Sequence, residues 1–174
     1  MTVTRRQVLA LVGGFAPILL LPGVSRAGQT VDIQMRGSPD GSRVWFDPIG
    51  MLIDPGQSVR WTNRDPGNSH TATAYHPANF DRPRRIPGKA VPWHSDYLLP
   101  NESFSVTLTQ PGVYDFYCVP HEHAGMVGRI VVGTPEQPGW AVDSQHAGNG
   151  LPEDALKAFP PVEEIMKKRI VRRA

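Results

Sequence analysis

Two stretches of strict alternation constrain this chain more than anything else in it. In 103–108, Phe104, Val106 and Leu108 alternate with Ser103, Ser105 and Thr107. In 112–118, Tyr114, Phe116 and Cys118 fall on one side of an extended backbone. Side chains of a β-strand point to opposite faces in turn, so each run reads as a strand with one apolar face. The same parity puts the Cys118 thiol on the core side, with Tyr114 and Phe116. Shorter runs at 31–35, 51–53, 58–62 and 128–132 extend the set, and Val59 and Trp61 share a face in the third. The turn sequences Asp54-Pro55-Gly56 and Gln110-Pro111-Gly112 punctuate them. With 18 Pro and 17 Gly among 174 residues, long helices through the middle are disfavoured. The pattern predicts an all-β fold, an antiparallel β-sandwich over 28–132.

The two ends read differently. Residues 1–27 carry Arg5 and Arg6, then an apolar run over 8–21, then small residues at Ser25 and Ala27, the layout of an export signal peptide. Thr4-Arg5-Arg6-Gln7-Val8-Leu9 resembles a twin-arginine signal, a route that carries folded proteins. The apolar run is broken by Gly13, Gly14 and Pro17 and falls short of the roughly 20 residues a membrane span needs. An uncleaved anchor is the alternative. Cleavage would leave a periplasmic or otherwise extracytoplasmic protein with no stable membrane span. It would also take the formal charge from +2 to −1, since the segment holds three arginines and no acid. The basic charge of the whole chain therefore gives no support for nucleic-acid binding.

Residues 71–100 fit strands poorly. They contain Pro77, Pro83, Pro87, Pro92 and Pro100, and a basic knot of Arg82, Arg84, Arg85 and Lys89. A loop insertion this long is either a solvated excursion or a lid or docking element beside a site. Residues 133–174 read as a linker, 133–150, followed by a short C-terminal helical tail. Val162, Ile165, Met166 and Ile170 form its apolar stripe after Pro160-Pro161. Glu163 and Glu164 sit at its start and Lys167, Lys168, Arg169, Arg172 and Arg173 at its end, as the helix dipole prefers. The tail is expected to pack on the sandwich; contact with a partner or a membrane surface is the alternative.

The chemistry is concentrated around the single cysteine. One Cys excludes an intramolecular disulfide, a Cys-rich zinc site, an iron–sulfur cluster, a CxxC redox pair and a dinuclear copper site needing two thiolates. Cys118 opens the pattern Cys-x2-His-x4-Met with His121 and Met126, at the end of a strand. Upstream, Asn68-Ser69-His70 follows the strand that contains Trp61, with His76 a rival to His70 as a donor. A thiolate, two imidazoles and a thioether are the donor set of a blue-copper electron-transfer site. Thiolate and thioether suit Cu(I), and imidazole suits both valences. A site held between the two preferences rearranges little when an electron arrives. Pro120 stiffens the loop, and Gly125 allows the bend that returns Met126.

The run from Gly112 to Val132, with Tyr117-Cys118-Val119-Pro120-His121 and Ala124-Gly125-Met126 at its centre, resembles the C-terminal signature of plastocyanin-like cupredoxins. The resemblance implies an eight-stranded Greek-key cupredoxin β-sandwich holding one type 1 copper per chain. It implies His70, Cys118, His121 and Met126 as its ligands. It also implies an electron carrier rather than an enzyme: copper alternates between Cu(I) and Cu(II), electrons leave by the edge of His121, and redox partner proteins dock transiently. Three features depart from the family pattern. His123 stands where Gly is usual, Thr71 rather than Asn follows His70, and 71–100 and 133–174 have no counterpart in simple plastocyanins. His76, His94 and His123 are expected as surface or structural residues, with an outer shell, a second metal site or a docking surface as the sharper possibility. The functional alternatives are copper storage, delivery or sensing without electron transfer, or a role accessory to a copper enzyme.

Overall fold

A computed structural model describes residues 28–140 and 150–173. The export-signal reading of 1–27 and the linker around His146 lie outside the described residues. Among those described, nine strands occur: β1 Thr30–Gly37, β2 Val44–Asp47, β3 Gly50–Ile53, β4 Gln57–Asn63, β5 Thr73–Ala74, β6 Ser103–Leu108, β7 Gly112–Tyr117, β8 Val127–Val132 and β9 Ile170–Val171. A 3-10 segment, Val119–Ala124, joins β7 to β8, and two short helices, α1 Glu153–Ala158 and α2 Val162–Lys168, precede β9.

The strands form two sheets, in the orders β2-β1-β4-β6 and β5-β7-β8-β3-β9. Between them lies a core in which the Phe46 and Phe116 rings meet edge-on at 4.7 Å and Trp61 meets Phe116 at 5.3 Å. The parity expected for Tyr114, Phe116 and Cys118 holds, since all three belong to this inter-sheet core. The purely antiparallel arrangement does not hold: β1 runs parallel to β4, and β3 parallel to β8. Both pairs are separated in sequence by strands of the other sheet, and such crossovers deliver parallel neighbours where hairpins cannot.

The sheets differ in how they meet solvent. Strand β6 alternates between exposed and covered positions, whereas all six residues of β7 are buried. The outer face of the second sheet is covered by the tail. Val113 and Val131 pack with Ile165 and Val171, and Tyr117 and Val127 pack with Tyr75, Leu151 and Ala155.

The tail also differs from the single stripe read in the sequence. It is two helices, and Arg169, at φ 63°, ends the second. Ile170 therefore leaves the helix and enters β9, which pairs with β3. The reason lies in the sheet edge. Leu52 N–H donates to Arg169 O at 2.8 Å and Ile49 N–H to Val171 O at 3.0 Å, satisfying edge donors of the β3 region. No helix among the described residues is long and apolar enough to cross a membrane.

The insertion is docked rather than free. Ala74 N–H donates to Trp93 O at 2.9 Å and Ser95 N–H to Ala72 O at 3.1 Å, so residues 93–95 extend the sheet beside β5. Half of the basic knot turns inward. Arg85 pairs with the buried Asp115 at 2.7 Å, and Arg82 pairs with the buried Glu122.

Candidate metal centre

Strand β7 delivers Cys118 to the end of the sandwich, and the 3-10 segment folds back at once. His121 N–H donates to Cys118 O at 3.0 Å, Met126 N–H to His121 O at 3.1 Å, and Cys118 N–H to Met126 O at 3.0 Å. Pro120 sits in the first turn, where a missing N–H costs nothing. Gly125 closes the turn at φ 73°, a conformation that costs other residues roughly 1–2 kcal/mol. A Cβ there would also lie 3.1 Å from Asp154 O of α1, so the tail backs the loop at this point.

His70 arrives from the other side. Its backbone pairs with Leu98 of the insertion in both directions, at 2.8 and 3.2 Å. Its Nδ1 lies 3.1 Å from His121 Nδ1 and 3.6 Å from Cys118 Sγ, and His121 Nδ1 lies 3.4 Å from Cys118 Sγ. Zinc serves as a guide to first-row ions, with metal–N bonds of about 2.0–2.1 Å and metal–S of about 2.3 Å. Donors at such distances and about 100–120° apart are separated by about 3.1–3.8 Å. All three separations fit. These are the only three His, Cys or acidic side chains among the described residues grouped closely enough to hold an ion. Met126 is buried beside them in the same core as Cys118.

The surroundings prepare the donors. Burial pushes the Cys118 thiol up to about 11, against hydrogen bonds from Thr71 and His121 that favour the thiolate. A bound cation takes the place of that proton. Burial lowers the pKa of His70, with Asp65 opposing it, and burial together with His70 lowers that of His121. Both imidazoles are thus biased to the neutral form a metal needs. His70 Nε2 is 3.0 Å from Asp65 Oδ2, an arrangement that keeps the proton on Nε2 and leaves Nδ1 bare. Burial acts to raise Asp65, but hydrogen bonds from Asn68, Gly67 and His70 prevail and hold it below the usual carboxylate range.

Thr71 takes the loop-tying position that Asn holds in the family pattern. Its N–H donates to Cys118 Sγ at 3.3 Å, and its hydroxyl accepts from Val119 N–H at 2.9 Å. Asn68 serves its own turn, donating to Asp65 Oδ2 at 2.9 Å. His76 is not in the donor group; its Nδ1 accepts from Ala78 N–H at 3.0 Å. His123 is exposed, and His94 bonds to Thr73, so these three histidines form no second metal cluster.

Sequence reasoning missed Asp65 and Glu122. Asp65 belongs to no motif singled out in the sequence, although a carboxylate five residues before His70 is a signal for a histidine-orienting group. Glu122 accepts from Tyr75 Oη at 2.9 Å and pairs with Arg82, anchoring the ligand loop to the insertion. Nothing local in the sequence marks that contact.

A β-sandwich with two imidazole nitrogens and one thiolate sulfur converging at one end defines the cupredoxin class. The sequence model of copper binding proteins of the plastocyanin/azurin family matches residues 33–133. Plastocyanin of Prochlorothrix hollandica is 36% identical over 129 residues, covering 72% of this chain and 89% of that protein. The chloroplastic plastocyanin of Oryza sativa subsp. indica is 32% identical over 130 residues, covering 73% and 80%. Among solved structures, a pseudoazurin from Sinorhizobium meliltoi superposes with a TM-score of 0.57 at 26% identity, covering 80% of this chain and 95% of that one. The chain belongs to the plastocyanin/azurin family of copper binding proteins. His70, Cys118 and His121, with Met126, make a cupredoxin-like site for one copper.

Proposed function

We propose that the protein is an exported single-electron carrier whose copper would be held by His70, Cys118 and His121, with Met126 as a fourth, weaker donor. The observation that carries this reading is the donor triangle, a thiolate and two imidazoles within 3.6 Å of one another at one end of a rigid sandwich. Bound copper supplies a one-electron couple between Cu(I) and Cu(II). The chain's own residues do the rest. Cys118 and His70 are fully buried and keep water out, while His121 is partly exposed and offers an edge to the surface. Pro120 and Ala124 flank it as exposed small apolar residues. A redox partner would rest on this surface briefly, with an interface under about 1,200 Å² as such encounters have. Asp65 makes His70 a stronger donor and so favours Cu(II).

No substrate chemistry is assigned: the protein is read as a carrier, not an enzyme. The layout of 1–27 supports export, by the twin-arginine route, to a periplasmic or other extracytoplasmic space. For domain organisation we take 28–132 as the cupredoxin domain with 71–100 as an insertion, and 133–174 as a linker and tail.

Visible absorption of the copper-loaded chain tests the ligand set. The oxidised protein is expected to show an intense thiolate-to-Cu(II) band that Cys118→Ser abolishes; a band retained in that variant would refute the assignment. Met126→Leu is expected to keep copper and shift the potential. Loss of copper from that variant would contradict the reading of Met126 as only a weak donor.

A further inference from the structure

His94 belongs to the insertion, yet a row of hydrogen bonds joins it to the Cys118 loop. Its Nδ1 is 2.8 Å from the Thr73 hydroxyl, which is 2.9 Å from the Thr71 hydroxyl. Thr71 Oγ1 in turn accepts from Val119 N–H at 2.9 Å. Thr71 and Thr73 are fully buried. Each hydroxyl has one proton to give and two lone pairs to receive. When His94 carries its proton on Nε2, toward Asp96 Oδ1 at 3.4 Å, its bare Nδ1 sets a direction for the row. Thr73 donates to His94, Thr71 donates to Thr73, and the Thr71 proton faces away from the copper ligands. A proton on His94 Nδ1 reverses the row. Thr73 then donates to Thr71, whose own N–H already meets Cys118 Sγ at 3.3 Å, and the Thr71 hydroxyl is free to turn its proton to the same sulfur.

We propose that Thr71, Thr73 and His94 are positioning residues, a hydroxyl relay through which a histidine of the insertion sets how many hydrogen bonds reach the Cys118 sulfur. This rests on the carrier reading above. In one direction the sulfur receives only the backbone N–H groups of Thr71 and His121; in the other it receives the hydroxyl as well. An added hydrogen bond draws density from the thiolate and favours Cu(I), so the reduction potential rises. The charged group facing His94 is Asp96, which is exposed. The Phe80 ring packs edge-on at 5.2 Å, and β5 presents only the Thr73 hydroxyl.

The test compares reduction potentials of the copper-loaded full chain between about pH 8 and 5, where histidines titrate. The chains are the natural protein, Thr73→Val, Thr73→Ser and His94→Gln. Part of the rise on acidification is expected to vanish in Thr73→Val and His94→Gln and to persist in Thr73→Ser. The difference between chains is the readout, since titrating groups outside the relay act on all four alike. Identical profiles in all four would overturn the relay. A second readout needs no metal: nitrogen NMR of the copper-free chain near neutral pH is expected to find His94 with its proton on Nε2. A proton on Nδ1 would overturn the proposal. Absence of any reversible couple would count against the carrier reading instead, and the tautomer would still decide the relay.

Discussion

The two loops that meet at the metal centre are built in opposite ways. The loop from Cys118 to Met126 closes on its own backbone: Cys118, His121, Gly125 and Met126 all donate N–H groups to carbonyls inside it. The loop from Asn63 to Thr71 is held by side chains. Asn63 Nδ2 donates to Asn68 O at 2.8 Å and to Leu98 O at 2.9 Å, and its Oδ1 accepts from Asp65 N–H at 2.9 Å. The Asp65 carboxylate then gathers Gly67 N–H, the Asn68 amide and His70 Nε2. Backbone closure follows from correct spacing and a glycine, and side chains such as the buried Glu122 only anchor the closed loop to its neighbours. Side-chain closure needs particular groups buried together, and it leaves His70 inaccessible while His121 keeps an open edge.

If that contrast is right, the His70 loop fails with its side chains. Asp65→Ala leaves three donors without an acceptor, and each buried one costs about 1–3 kcal/mol, so unfolding free energy in denaturant should fall by about 3 kcal/mol. A loss well below 1 kcal/mol would show that the loop does not depend on this carboxylate.

The loops should also weaken at opposite ends of the pH scale in the metal-free protein. The Cys118 thiol rises from 9.0 to about 11 on folding, so its contribution is full below pH 9 and lost as pH climbs toward 11. At about 1.4 kcal/mol per pH unit this is roughly 2–3 kcal/mol. Asp65 is shifted down, so its contribution holds above the usual carboxylate range and disappears as pH falls through its folded value. Unfolding curves across pH should therefore lose the part of the alkaline limb that begins near pH 9 in Cys118→Ser, leaving the later part owed to the buried tyrosines Tyr75, Tyr114 and Tyr117, and should keep both parts in Asp65→Asn.

Smaller effects sharpen the contrast. Gly125→Ala forces a side chain into the left-handed region against α1 and should cost about 1–2 kcal/mol, the penalty of that conformation. His123→Ala, at an exposed position of the same loop, should leave both unfolding and copper binding unchanged. A large change there would mean that an exposed side chain, and not the backbone closure alone, shapes the loop.

The contrast also explains what the sequence could reveal. The Cys118 loop was legible as Cys-x2-His-x4-Met because its geometry depends on short-range spacing. Alternation in 103–108 and 112–118 located β6 and β7 for the same reason. His70 was recognisable only through its place after a strand. Its partner Asp65, and Asn63 that fixes the Asp65 backbone, carry no local mark in the sequence, since their acceptors and donors are assembled only on folding. Thr71 could be seen to replace the usual Asn, but its bond to Val119 spans 48 positions. The tail hid β9 for a related reason: Ile170 fits a helical stripe locally, and the unpaired edge of β3 overrides that preference.

The central claim is a single copper that gains and loses one electron in place. Potentiometric titration of the copper-loaded chain, followed through its visible band, tests it most directly. A reversible one-electron transition with one copper retained per chain in both valences is the expected result. Release of copper on reduction, or the absence of any reversible transition, would contradict it.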